Sequence, residues 1–256
     1  MKSIGKGVVR SVSIIACGSN FKTAATLIKS YPDTGIGVHL CLVQERPVLP
    51  SKDVPSIVTN DGEFYNNFMQ FAYRFWSGRI NLTDIERELE AQIEKVIESG
   101  ITPSHLDSHQ YVHLLPPVLT LVMKLAKKYN IKWIRYPVGD FRISLKTAAK
   151  MLWLSVFSRY QVSLLQADSI KYPTRSFGVF CSGCLDIVQI RKGLRNSVDG
   201  INDITCHPGY FPDNKKYAAW GYTWEKELSI LTQNEIIGLI GACNLKLTNY
   251  AKEEIN

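Results

Sequence analysis

The order of apolar runs and amphipathic segments predicts an α/β protein with a parallel, barrel-like sheet, folded as one domain over residues 1–256. Three observations carry this reading. The chain opens strand, helix, strand, the grammar of a βαβ unit. Strand-like runs then continue to alternate with amphipathic helices toward the C-terminus. The length of 256 residues suits a single-core barrel, and 45% apolar with 11% aromatic residues suffices for a packed core.

Val8 to Cys17 is β-branched and nearly continuous in apolar character, ends at Gly18, and reads as a buried strand. Asn20 to Ser30 places Phe21, Ala24, Ala25 and Ile28 on one helical face, with Ser19 as the expected cap. Ile36 to Val43 is the second strand and carries His39. Residues 44 to 80 read as a long functional connection rich in Pro, Asp, Asn and aromatics. The clearest helix comes next, with a capping box from Thr83 and Glu86, an apolar stripe of Ile85, Leu89, Ile93, Val96 and Ile97, and Gly100 as its stop. Pro103 to Asp107 reads as a strand, Pro117 to Tyr129 as a helix, Lys132 to Tyr136 as a strand, Ile201 to Thr205 as the last strand, and Asn234 to Cys243 as a terminal helix. Residues 139 to 172 form an insertion that is helical in pattern. Its apolar and basic stretch from Phe141 to Gln166 suits a packed helix pair or lid better than a membrane-surface element.

Lys and Arg exceed Asp and Glu by 30 to 23, a net charge of +7. No basic run is interleaved with aromatics as a stacking platform for nucleic acid requires, so the excess reads as a solvated surface and no nucleic-acid partner is expected. Met1 is followed by Lys-Ser-Ile-Gly-Lys-Gly with no apolar core, so no secretory leader is expected. No uncharged apolar stretch reaches the about 18 residues of a membrane span. The six cysteines are scattered, and Cys181-Ser-Gly-Cys184 is a lone pair without a second one, so a reducing, cytoplasmic setting is expected. The oligomeric state is open, a homo-oligomer included.

All five histidines fall in three short motifs: His39 in Gly-Val-His-Leu, His105, His109 and His113 in one stretch of nine residues, and His207 in Thr-Cys-His-Pro-Gly. Each motif lies in or after an expected strand, and parallel sheets gather ligand-binding groups at the strands' carboxyl ends. Imidazole is both the commonest metal ligand and the side chain suited to proton transfer near neutrality. The pattern therefore points to a metal-assisted hydrolase. Pro103 before the second cluster and Pro116-Pro117 after it argue against the three histidines sharing one helical face. Asp107 is placed to orient an imidazole or to bind metal itself. His207, isolated in a tight turn, suits a general acid that protonates a leaving amine.

These residues resemble the YdjC-like carbohydrate deacetylases, a family that includes the diacetylchitooligosaccharide deacetylases. The resemblance rests on Pro103-Ser104-His105-Leu106-Asp107-Ser108-His109-Gln110 with Val112-His113, and extends to Gly7 to Ser13, Gly37 to Leu40, Asp61-Gly62, Glu88 to Gln92, Ile134-Arg135 to Pro137, and Cys206 to Gly209. Trp220-Gly221-Tyr222 with Trp224-Glu225 and Glu227-Leu228 are similar to the hopanoid-biosynthesis-associated branch. The resemblance implies an incomplete (β/α) barrel and an acetylated amino sugar or glycan-like conjugate as substrate. It implies a divalent metal held by His39 and His109, with His207 as proton donor and His105, Asp107, His113 and Arg135 as supporting or substrate-binding residues. The family is magnesium-dependent, whereas a pair of imidazoles by itself favours zinc.

The family begins with a strand ending in Ala-Asp-Asp-Phe-Gly, whose aspartates supply the general base and the third ligand. No adjacent aspartate pair occurs in residues 1–256, and Tyr111 stands where the family often has another histidine. The first barrel strand is accordingly expected to be missing from this sequence, with impaired hydrolysis or a sugar-binding or partner-binding pseudoenzyme as the consequence.

Overall fold

The structure is a computed structural model that describes residues 1–138, 161–179 and 181–252. Most of the expected insertion and of its membrane-surface stretch lies outside the described residues, while 161 to 167 are helical as expected. The chain forms two compact units, one of Ser11–Arg135 with Leu154–Tyr172, the other of Met1–Arg10, Tyr136–Trp153 and Pro173–Asn256.

The first unit confirms the α/β class with a parallel sheet. Strands β1 (Ser11–Ile14), β2 (Gly35–Leu40), β3 (His105–Ser108) and β4 (Trp133–Ile134) lie side by side in sequence order, all parallel. Each is shorter than the segment expected for it. The strand register sorts the side chains into layers. Ser13 pairs with Gly37 and Gly37 with His105, while one step toward the carboxyl ends His39 pairs with Asp107. Residues two apart share a face, so Ser13, Gly37 and His105 make one layer and His39 and Asp107 the next. Arg135, just past β4, joins that upper row through its N–H on the Leu106 carbonyl at 2.9 Å.

The helices follow their apolar faces. Helix α1 (Lys2–Gly5) belongs to the second unit; α2 (Phe21–Ile28) buries Phe21, Ala25 and Ile28. Asn20, not Ser19, precedes α2, and its side chain makes no cap bond. The connection from 44 to 80 is not all loop. It holds two short 3₁₀ turns and a helix, α3 (Phe68–Trp76), capped by Asn67, whose side chain accepts from the Gln70 amide. In α4 (Leu82–Glu98) the expected capping box is wrong: Asn81 starts the helix two residues earlier and accepts from the Thr83 amide. Ile85, Leu89, Ile93 and Val96 are buried as expected, but Ile97 is 37% exposed. Adjacent helical residues are about 100° apart, so Val96 and Ile97 cannot both face the core. Gly100, at φ +82, ends the helix region as expected. α5 (Pro116–Lys128) covers the sheet beside α4 and buries Val118, Leu119, Val122, Met123, Leu125 and Ala126.

In the second unit, β5 (Arg175–Phe177) pairs in parallel with β6 (Asn202–Ile204). Leu185, Ile190, Leu194, Ile230, Leu231, Ile236 and Ile240 form its core. They come mainly from three helices, Ile187–Arg195, Trp224–Leu231 and Asn234–Ala242, the first with a capping box between Asp186 and Gln189. No helix among the described residues is long and apolar enough to cross a membrane.

Candidate functional site

Asp107 is the hub of the first unit's upper row. It is 3% exposed, takes His39 Nδ1 on one carboxylate oxygen at 2.9 Å, and takes Arg135 Nη1 on the other at 3.0 Å. A carboxylate only accepts, so Nδ1 of His39 carries the hydrogen and Nε2 keeps a lone pair. Carboxylate-oriented imidazoles of this kind are typical of metal-binding histidines. Burial alone would raise the Asp107 carboxyl, but the His39 ring and the Arg135 guanidinium outweigh it and hold the group well below the usual carboxylate range.

His109 opens the tight turn after β3, in which Gln110 and Tyr111 adopt φ of 52° and 56°; the shared-helix-face arrangement is thereby ruled out. Its ring lies 5.8 Å from that of His39, centroid to centroid, with the planes at 66°. Its Nε2 meets the Gln44 side-chain oxygen at 2.6 Å. Gln44 reaches this position through a φ of 70° and a backbone bond to the Tyr65 carbonyl. Two oriented imidazoles at this spacing suit part of a divalent-cation site. Among the described residues no group of three His, Cys, Asp or Glu side chains could hold a metal.

The two remaining histidines of the cluster are locked by neighbours. His105 lies buried in the layer below, with Nε2 on Ser13 Oγ at 3.0 Å and Nδ1 on Ser104 Oγ at 2.9 Å. The Ser104 hydroxyl donates to the Ile36 carbonyl, so it accepts from Nδ1–H, and Nε2 accepts from Ser13. His113 donates from Nε2 to the Arg135 carbonyl at 2.9 Å, and its Nδ1 takes the Ser108 hydroxyl at 2.5 Å. Burial lowers the His113 pKa to about 4.

That value yields a pH prediction. A histidine whose folded-state pKa is depressed contributes stability that is fully present above its unfolded pKa of about 6.5 and is lost as the pH falls through 4. His113 should therefore withdraw about 3 kcal/mol between these limits. The burial-raised carboxyls of Glu88 and Glu227 act in the opposite sense, so the difference between wild type and His113→Gln isolates the histidine. Urea unfolding at stepped pH should show the extra slope in wild type only; parallel curves would refute it.

His207 belongs to the second unit, in the segment after β6. Its backbone N–H donates to the buried Glu227 carboxylate, which also accepts from the Leu185 N–H. Burial pushes the Glu227 carboxyl up. The His207 ring meets Tyr222 edge-on at 5.1 Å.

Sequence reasoning missed two kinds of residue. Gln44 has no motif around it, and its role depends on a left-handed backbone that no local signal announces. Glu88 and Gln92, both 0% exposed, did carry a signal: two polar residues four apart on an apolar helical stripe. Gln92 holds Cys41 by its N–H at 2.8 Å and its carbonyl at 2.7 Å. Glu88 accepts from the amides of Val48 and Leu49 at 2.8 and 3.0 Å. Together they fix the loop that carries Gln44.

A parallel sheet with imidazoles, a buried carboxylate and a guanidinium at its carboxyl edge places the first unit among the parallel α/β folds. The chain belongs to the family of YdjC-like proteins, matched over residues 1–240. It is 30% identical to a carbohydrate deacetylase of Clostridium beijerinckii over 249 residues, covering 95% of this chain and 88% of that one. A carbohydrate deacetylase of Brevibacillus brevis is 28% identical over 257 residues, with 96% and 89% covered. A solved structure from Enterococcus faecalis, described as a candidate cellobiose-phosphate cleavage protein, superposes with a TM-score of 0.76 at 26% identity, over 97% of this chain and 89% of that one.

Proposed function

We propose that this chain is a carbohydrate N-deacetylase fold that binds an acetylated amino sugar or glycan-like conjugate and hydrolyses its acetamide. The observation that carries the reading is the His39–Asp107–Arg135 array with His109 beside it at the strands' carboxyl edge. His39 and His109 would hold a divalent cation, magnesium by family resemblance or zinc by imidazole preference, and when bound it supplies Lewis acidity toward the acetamide carbonyl. Asp107 fixes the His39 tautomer, and Arg135 keeps that carboxylate ionised. Hydrolysis joins a water oxygen to the acetyl carbon and breaks its bond to nitrogen. The departing amine needs a proton, which is the role proposed for His207.

The residue matching the family's general base is an aspartate of a pair that residues 1–256 do not contain. Acetate release by this chain is therefore expected to be weak, and sugar binding without hydrolysis is the second reading. The scattered cysteines, with Cys181 and Cys184 a lone pair, support a reducing, cytoplasmic setting.

The test pairs metal analysis with an acetate assay on an N-acetylglucosamine disaccharide. Purified protein dialysed against zinc or magnesium should retain the cation. His39→Ala and His109→Ala should each lower its affinity at least about 100-fold, since each removes one of two imidazole ligands. Unchanged metal content in both variants would sink the metal assignment. Acetate at a slow but metal-dependent rate supports hydrolysis; bound sugar with no acetate supports the second reading.

A further inference from the structure

The second unit carries aromatic side chains that its core does not use. Tyr217, Trp220, Tyr222 and Trp224 touch one another in succession, with ring centroids 5.2, 5.5 and 4.8 Å apart, and are only half-buried. His207 sits edge-on against Tyr222, so the cluster adjoins the proposed proton donor. The segment after His207 adds Tyr210 and Phe211, exposed by 69% and 66%. Gly209 ties that segment to the cluster, its N–H on the Trp224 carbonyl at 3.2 Å.

The cluster is pinned in place. The Tyr222 ring lies against Gly183, where a Cβ would come within 2.1 Å of it, and Gly183 adopts a φ of +76. The next residue, Thr223, donates both its N–H and its hydroxyl to the Gly183 carbonyl. Rings fixed before a ligand arrives lose little freedom on binding.

We propose that Tyr210, Phe211, Trp220 and Tyr222 form a platform on which a pyranose ring of the substrate stacks beside His207. The proposal rests on the carbohydrate reading above and adds the residues that recognise the sugar. A pyranose presents a face of C–H groups, slightly positive, which complements the negative face of an aromatic ring. Its hydroxyls stay directed outward to water or to polar groups at the rim. The rings stand at 33° to 73° to one another, which makes walls of differing tilt rather than one flat surface. That arrangement suits a puckered ring better than a planar base.

The test measures binding apart from turnover. Full-length protein is titrated calorimetrically with an N-acetylglucosamine disaccharide and with cellobiose, which has the same rings without the acetamide. Wild type should bind the acetylated disaccharide. Tyr210→Ala/Phe211→Ala, at exposed positions where folding is unaffected, should bind it about tenfold more weakly, and Tyr222→Leu should do likewise at a temperature where circular dichroism shows the variant folded. Variants that bind like wild type would overturn the proposal, as would a wild type that binds neither sugar. Loss of self-association, or of binding to phosphatidylcholine–phosphatidylglycerol vesicles, at unchanged sugar affinity would also overturn it. Sugar bound through the platform with no acetate released would uphold the platform and defeat the hydrolase reading. Acetate released by the variants at wild-type KM would uphold hydrolysis and defeat the platform.

Discussion

Asp107→Ala should cost about 3–5 kcal/mol of unfolding free energy, the scale seen when one partner of a buried ion pair is removed. The charge left behind is the Arg135 guanidinium, whose side chain is 16% exposed, and His39 loses its orienting partner at the same time. Asp107→Asn separates the two effects. It keeps the shape and one acceptor, so it should fold better than the alanine variant, yet affinity for the proposed cation should still fall about 10–100-fold because the His39 tautomer is no longer fixed by a charge. The carboxyl is depressed in the folded state, so its contribution is fully present above about pH 4 and is lost only as acid takes the pH through the lower folded-state value. Denaturation at pH 7 and cation titration of both variants check this. An alanine variant as stable as wild type would show that the pair contributes nothing.

Gly37→Ala should be nearly as damaging, for a reason visible only in the layer below. A Cβ at this position would lie 2.4–2.6 Å from three atoms of the His105 ring. The ring can swing aside only by giving up the hydrogen bonds that the Ser13 and Ser104 hydroxyls make to its two nitrogens. Overpacking of about 1–3 kcal/mol adds to the loss of those bonds, at about 1 kcal/mol each, for a total of about 3–5 kcal/mol. The double variant Gly37→Ala/His105→Ala isolates the cause. With the ring gone the added methyl has room, so the glycine change should cost under about 1 kcal/mol in that background. Equal costs in both backgrounds would place the penalty in the strand backbone.

What could be read in advance came from periodicity. The apolar runs Val8 to Cys17 and Ile36 to Val43 marked β1 and β2, the short segments Pro103 to Asp107 and Lys132 to Tyr136 marked β3 and β4, and the stripe of Ile85, Leu89, Ile93 and Val96 marked α4. Ends were less legible: Asn81 competed with Thr83 for the cap, and the sequence could not say which side chain would turn back. α3 was missed because its aromatic-rich segment, flanked by Asn66 and Asn67, read as a connection. Within the site, the spacing of His105 and Asp107 along β3, with His109 just past its end, was plain. That Asp107 would meet His39 was not, since it depends on the register between β2 and β3, which no single strand encodes. Gln44 had no motif around it, and although Glu88 to Gln92 lay within the family resemblance, the clamp they form acts through contacts distant in sequence.

The Gln92 clamp has a consequence for how the loop above the site is built. A primary amide presents a donor and an acceptor as a peptide unit does, and Gln92 offers both to Cys41, the residue just past the end of β2. Gln92 is thus a surrogate for one more residue of a neighbouring strand. The chain can leave the sheet there with its backbone groups satisfied and fold over toward His109 at once. The reach of that loop is metered by the rotation of one helix: a turn of α4 by a single residue would carry the surrogate away and unmoor Gln44 with it.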